Sequence, residues 1–176
     1  MTAYDAFTMG FSNRSWEKTL EILRCFGLQR LVDIRTLPGS KHTPQFNLEH
    51  LERALPIANV DYIHMKSLGG LRKPQMHSVT NAAWHNNSFR GYADYMQTPA
   101  FEDALDRLIG LIKEKRTVYV CTEALFWRCH RQLVSDALTI RGHRIGHIFD
   151  AEKVEHHRLT KFSRVEGTRL TYPALL

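Results

Sequence analysis

Cysteine is scarce in this sequence. Cys25, Cys121 and Cys129 are too few for a disulfide framework, and their odd number fits a reducing compartment. No apolar run approaches the roughly 20 residues that cross a bilayer. The opening Met1-Thr-Ala-Tyr-Asp5 lacks the basic end and apolar stretch of a secretory signal. A cytoplasmic protein with no membrane partner is the expectation. No internal repeat, low-complexity tract or linker interrupts the chain. At 176 residues it is long enough for one real core and short for two. The expected organisation is one domain over residues 1–176, with residues 150–176 a basic extension packed on or near it.

What is present in excess is positive charge. The net charge is +6, and residues 141–176 hold seven Lys or Arg against four Asp or Glu. That balance favours anionic partners, nucleotides and nucleic acids among them, although a solvated basic surface gives the same count.

Period-2 and period-3.6 runs alternate along the chain. Ala6–Met9 reads as a strand, and Ser15 caps a helix through Cys25, where the thiol is expected to serve as a small buried hydrophobe. Arg30–Arg35 is a second strand, followed by a loop over 36–46 and a helix from Asn47 to Leu55 that Pro56 ends. Asp61–Met65 is a third strand, leading into Gly69-Gly70, an ordinary turn or a place of close backbone approach. Residues 72–97 are long and weakly periodic. Their Trp84, Phe89, Tyr92 and Tyr95 suit either base stacking or a short helix on the core. Thr98-Pro99 starts a helix, Thr117–Cys121 is a strand, Arg128–Ile140 a helix, and Arg144–Phe149 a last strand. Alternation of this kind predicts an α/β fold: a single three-layer domain with a mainly parallel sheet flanked by helices.

The junction between the strand ending at Cys121 and the helix after Arg128 carries the chemistry. Nucleophile, carboxylate and guanidinium side chains crowd it, at the carboxyl end of a strand where open α/β sheets bind ligands. Its helix start offers free N–H groups to an anion.

Several segments resemble one family. Leu31-Val-Asp-Ile-Arg35 with Pro38 and Phe46-Asn47, Leu68-Gly-Gly-Leu-Arg72, Phe89-Arg-Gly-Tyr-Ala-Asp-Tyr-Met96, Cys121-x-Glu-Ala and Trp127-Arg-Cys-His-Arg131 are similar, in that order, to the domain-of-unknown-function family 488. The resemblance runs from about Thr8 to Ile148. It implies a bacterial or archaeal α/β domain with its site at the Cys-x-Glu…Cys-His-Arg motif, and it names no reaction.

Residue by residue, Glu123 is the candidate general acid or base, with His130 the second. Cys129, at a helix start between Arg128 and Arg131, should have a lowered pKa and suits a nucleophile; a packed thiol is its alternative. Cys121 sits at a strand end. Arg35, Arg72, Arg90 and Arg131 come from separate segments that the fold can converge on an anion, with Asp33, Tyr92, Trp127 and Arg128 as further lining. A Cys-x5-Arg phosphate loop is excluded: six residues separate Cys121 from Arg128 and none is glycine. No cofactor is predicted. Cys121, Glu123, Cys129 and His130 are acceptable metal ligands. Neighbours on a helix, however, diverge by about 100°, so Cys129 and His130 are not expected to reach one ion, and no Cys-x2-Cys is present. The leading expectation is a hydrolase or group transferase acting on a nucleotide or nucleic acid. The alternatives are a non-catalytic nucleic-acid-binding module and a thiol-based redox or sulfur-transfer protein.

Overall fold

Alternation along single strands divides the interior into two layers. Phe7, Met9, Leu31, Val118 and Val120 face one side of the central sheet, and Ala6, Val32, Tyr119 and Ile145 the other. The strands are β1 (Ala6–Gly10), β2 (Arg30–Asp33), β3 (Asp61–His64), β4 (Thr117–Cys121), β5 (Ile145–Ile148) and β6 (Val154–His156). In the computed structural model, which describes residues 4–174, they lie in the order β3-β2-β4-β1-β5-β6. The first five run parallel, and β6 is antiparallel at the edge. The outermost residues of the expected 1–176 span lie outside the described range.

Helices α1 (Trp16–Cys25) and α2 (Leu48–Ile57) cover the first face through Ile22, Leu23, Leu51 and Leu55. Helices α3 (Asn87–Tyr95), α4 (Pro99–Glu114) and α5 (Arg131–Thr139) cover the second. The molecule is a three-layer α/β fold with a mainly parallel sheet. On α4 the buried Phe101, Leu105, Leu108 and Ile112 recur at helical spacing, and the Thr98 hydroxyl accepts from the Phe101 N–H as its cap.

Three local expectations change. Cys25 is exposed, because α1 turns it away from the sheet in its last turn. Pro56 lies inside the last turn of α2 rather than ending it. The helix expected from Arg128 begins at Arg131. Ahead of it a single 3₁₀ turn covers Phe126–Arg128, and Cys129 is extended (φ −136°, ψ 151°). Residues 150–174 fold onto the body: β6 pairs with β5, a hairpin joins β7 (Arg164–Glu166) to β8 (Arg169–Thr171), and Leu170 and Tyr172 are buried in the second core layer.

The crossovers explain where a cleft opens. The chain leaves β1 and β2 through α1 and α2 on one face. It leaves β4, which lies between them, through α5 on the other. Loops diverging from neighbouring strand ends leave a crevice at the carboxyl edge of β2 and β4.

Candidate functional site

That crevice is a cavity of about 400 Å³. Arg35, Thr36 and Leu37 after β2 form one wall. Cys121, Thr122 and Glu123 after β4, with Arg128, Cys129 and His130, form the opposite one. Gly70, Leu71, Ser88 and Phe89 close the side.

The wall after β4 is shaped from beneath. Its backbone continues the sheet for one step, as Phe11 and Ser12 donate N–H to the carbonyls of Cys121 and Thr122. Gly10 lies below the carbonyl of Glu123 so closely that a Cβ there would overlap it. Arg131, 1% exposed, then ties the loop to the sheet: its guanidinium donates to the Thr8 hydroxyl at 2.9 Å and to the carbonyls of Glu123 and Ala124. Phe126 lies flat on the His147 ring with centroids 3.5 Å apart.

These constraints bring Cys121, Cys129 and His130 together. Their Sγ and Nδ1 atoms all lie within 4.8 Å of one another. Nδ1 of His130 is 3.6 Å from the Cys129 sulfur and 3.9 Å from that of Cys121. The divergence expected of Cys129 and His130 holds only for two residues inside a helix. Cys129 precedes α5 in extended backbone, so its side chain swings to the same side as its neighbour's.

His130 is fixed on all sides. Its Nε2 is 3.0 Å from the Ile34 carbonyl, which can only accept, so Nε2 carries a proton and Nδ1 is the ring nitrogen turned toward the sulfurs. The Tyr92 ring packs at 5.0 Å, its hydroxyl donating to the Leu68 carbonyl. Gly70 packs against the imidazole, where a Cβ would lie 2.5 Å from Nδ1.

The two thiols differ. Burial alone would raise Cys129, but donation from Cys121, the adjacent His130 and the Arg131 charge outweigh it and hold the thiol well below its usual range. Its sulfur also accepts the Arg131 N–H at 3.5 Å, at the start of α5. Cys121 is pushed up, first because it donates to Cys129 and then by burial. Of the two, Cys129 is the more readily ionised thiol.

The amides at the start of α5 serve the protein rather than a ligand. Arg131 N–H goes to the Cys129 sulfur, Gln132 N–H to the Cys129 carbonyl, and Leu133 N–H to the His130 carbonyl. The expected convergence of four arginines on one anion does not occur, because guanidinium groups staple loops here. Arg72 donates to the Gly69 and Ser67 carbonyls and lies over the Tyr95 ring. Arg90 donates to the Ser78 carbonyl, and Arg131 is buried under the loop. Arg35 does line the cleft, but its Nε and terminal nitrogen pair with Asp33, the latter at 2.6 Å. The fully buried Asp33 also accepts the Tyr62 hydroxyl. Tyr92 supports His130 from the core. Trp127 is half-exposed, packs on Phe126 and lies outside the lining. Glu123 and Arg128 line the cleft, and neither forms an ion pair among the described residues.

Sequence reasoning named neither Thr36, Leu37, Leu71, Ser88 nor Thr122 as lining. Only the Gly-Gly pair carried a signal, through the close approach that paired glycines permit.

A family model described as "Domain of unknown function DUF488" matches residues 15–138, well over half the chain. The chain belongs to this family. The matched span holds every lining residue of the cleft and Arg131, whereas β1, β5 and the C-terminal strands lie outside it. No curated protein and no solved structure matches the chain. Family membership brings no substrate with it, and the chemistry must be argued from the cleft.

Proposed function

We propose that the protein is an enzyme, a hydrolase or group transferase, acting in this cleft on a phosphate-bearing substrate of nucleotide type. The observation that carries this reading is the pair Glu123 and Arg128. Both line one cleft beside the sulfur–imidazole cluster, and neither is neutralised by a neighbour among the described residues. An unpaired carboxylate there is available to take a proton from an attacking water or alcohol. An unpaired guanidinium in the same cleft is available to hold a phosphate. The exposed Leu37 and Leu71, with Phe89, give the same cleft an apolar side suited to a flat ring.

The binding-module alternative draws less support. Trp84 packs between Phe89, Phe162 and Tyr172, so the aromatic segment serves the core rather than offering free faces to bases. The thiol-based alternative keeps one specific support, the buried Cys129 thiol held below its usual range next to Cys121 and His130.

The test is release of inorganic phosphate from a panel of nucleoside mono-, di- and triphosphates and p-nitrophenyl phosphate. Turnover of at least one member is expected. Glu123→Gln should lose it while melting at the wild-type temperature, and Arg128→Ala should raise KM. No turnover on any member, or loss of fold in Glu123→Gln, would overturn the reading.

A further inference from the structure

We propose that Cys121, Cys129 and His130 form a binding site for a zinc-class divalent cation, with one coordination position open to the cleft. The role given below to the cation rests on the hydrolase reading; its binding does not.

Distance is the first argument. A tetrahedral zinc ion with Zn–S near 2.3 Å and Zn–N near 2.0 Å holds a sulfur and a nitrogen ligand about 3.5 Å apart. The Cys129 and Cys121 sulfurs lie 3.6 and 3.9 Å from Nδ1 of His130. Two of the three separations are already near the spacing of one coordination shell, and the two sulfurs lie within 4.8 Å of each other, so side-chain rotations can close all three on an ion.

Orientation is the second. A ligating histidine must present a bare ring nitrogen, and the ring is normally held by donating its other N–H to a carbonyl or carboxylate. Nε2 of His130 is committed to the Ile34 carbonyl at 3.0 Å. Nδ1 is therefore the ring nitrogen that faces the sulfurs and the one available to an ion. Gly70 and Tyr92 leave the ring no room to turn over.

Donor chemistry is the third. Two thiolates and a neutral imidazole suit a borderline-soft ion and do not suit calcium or magnesium, which take oxygen ligands. Two thiolates also balance a divalent charge, so the complex is neutral beside Arg131. The cluster supplies three protein ligands, and the Glu123 carboxylate is not among the converging atoms. Three ligands with an open fourth position are the arrangement of catalytic rather than structural zinc. Coordination by both sulfurs requires both thiols to give up their protons to solvent. A cation held there would act as a Lewis acid that lowers the pKa of a water in the open position, and Glu123, which lines the same cleft, would be the base available to take its proton. Because both thiolates are consumed as ligands, a bound cation stands against Cys129 as a free nucleophile.

The full chain, reduced and stripped with a chelator, is titrated with Co2+ and followed by absorption, then with Zn2+ in competition with a chromogenic chelator. The expected result is a thiolate-to-cobalt charge-transfer band with tetrahedral d–d bands, saturating at one cation per chain and displaced by Zn2+. Cys121→Ser, Cys129→Ser and His130→Ala should each weaken zinc by more than about tenfold, whereas Cys25→Ser, on the far end of α1, should match wild type. Cys121 is only partly buried; if Cys129→Ser fails to fold, the Cys121→Ser variant and the wild-type spectrum still decide. Absence of the charge-transfer band, its loss in Cys25→Ser, or alkylation of Cys121 and Cys129 that saturating Zn2+ does not slow would overturn the site. Glu123→Gln with a normal cobalt spectrum and no turnover separates the two proposals. A wild-type protein with that spectrum and no turnover sinks the hydrolase reading alone, and full turnover by the metal-free chain sinks the cation's part in hydrolysis alone.

Discussion

A Cβ placed on Gly70 would come within 2.5 Å of Nδ1 and 3.0 Å of Cε1 of His130. The ring cannot retreat, because its far nitrogen is bonded to the Ile34 carbonyl and its face lies on Tyr92. Gly70→Ala should therefore cost about 1–3 kcal/mol in urea unfolding, the usual range for forcing a methyl into filled space. It should also turn the imidazole away from the two sulfurs. A cobalt charge-transfer band of wild-type strength in this variant would show that the ring has more freedom than these contacts allow. The same residue marks where sequence reading ran short. Leu68-Gly-Gly-Leu-Arg72 shows that two backbone positions lack side chains, but a turn and a close approach both explain that, and the partner is sixty residues further along the chain.

The element that decides the site is the loop between β4 and α5, and its geometry was the least legible part of the chain. Cys129 stands four residues before Leu133, so helical spacing extends backwards through it, and nothing local marks the break at Arg131. What makes the break is long-range. Arg131 reaches across to Thr8 on β1 and gathers the Glu123 and Ala124 carbonyls, and Phe126 is flat against His147 on β5. By contrast, the strand and helix sequence was readable almost throughout, because apolar spacing on β1, β2, β4, α1 and α4 agrees with the faces those elements bury. The arginines divide the same way. Their side chains are visible in sequence, but whether a guanidinium meets a ligand or a loop carbonyl depends on turns that propensity does not specify. Arg131→Lys tests the stapling role. A lysine keeps the charge but cannot span from the Thr8 hydroxyl to two carbonyls as a planar fork does. At least one buried acceptor is left without a donor, at about 1–3 kcal/mol each. The expected outcome is a lower urea midpoint with an unchanged slope; an unchanged midpoint would mean that the Phe126–His147 stack alone holds the loop.

Arg131 also begins a chain of bonds through the whole molecule. Thr8 accepts from Arg131 and its hydroxyl lies 3.3 Å from Nδ1 of His147; Nε2 of His147 is 2.8 Å from Nδ1 of His157; Nε2 of His157 is 2.8 Å from the Asp136 carboxylate. A carboxylate can only accept, so with both imidazoles neutral the donors point one way along the chain: Arg131 to Thr8, Thr8 to His147, His147 to His157, His157 to Asp136. The series joins the outer wall of the cleft to the C-terminal segment, where Thr160 and Tyr172 also donate to Asp136. A proton added at Nδ1 of His147 would turn the acceptor of the Thr8 hydroxyl into a donor facing it. Burial opposes that proton first, and the positive charge that His157, Arg131 and His156 can carry opposes it further, so His147 is pushed down from 6.5 to about 2. The sign follows from proton counting. Between those two values the unfolded chain binds a proton that the folded one refuses. Stability from this group is complete above pH 6.5 and falls as the solution is acidified towards pH 2, by about 1.4 kcal/mol per pH unit where a single group dominates. Urea unfolding measured between pH 7.5 and about pH 4.5 should show that loss, and His147→Gln should lower stability at neutral pH while flattening the slope below pH 6.5. A variant that keeps the full acid slope would place its origin in another group and remove His147 from the account of how the wall of the cleft is held.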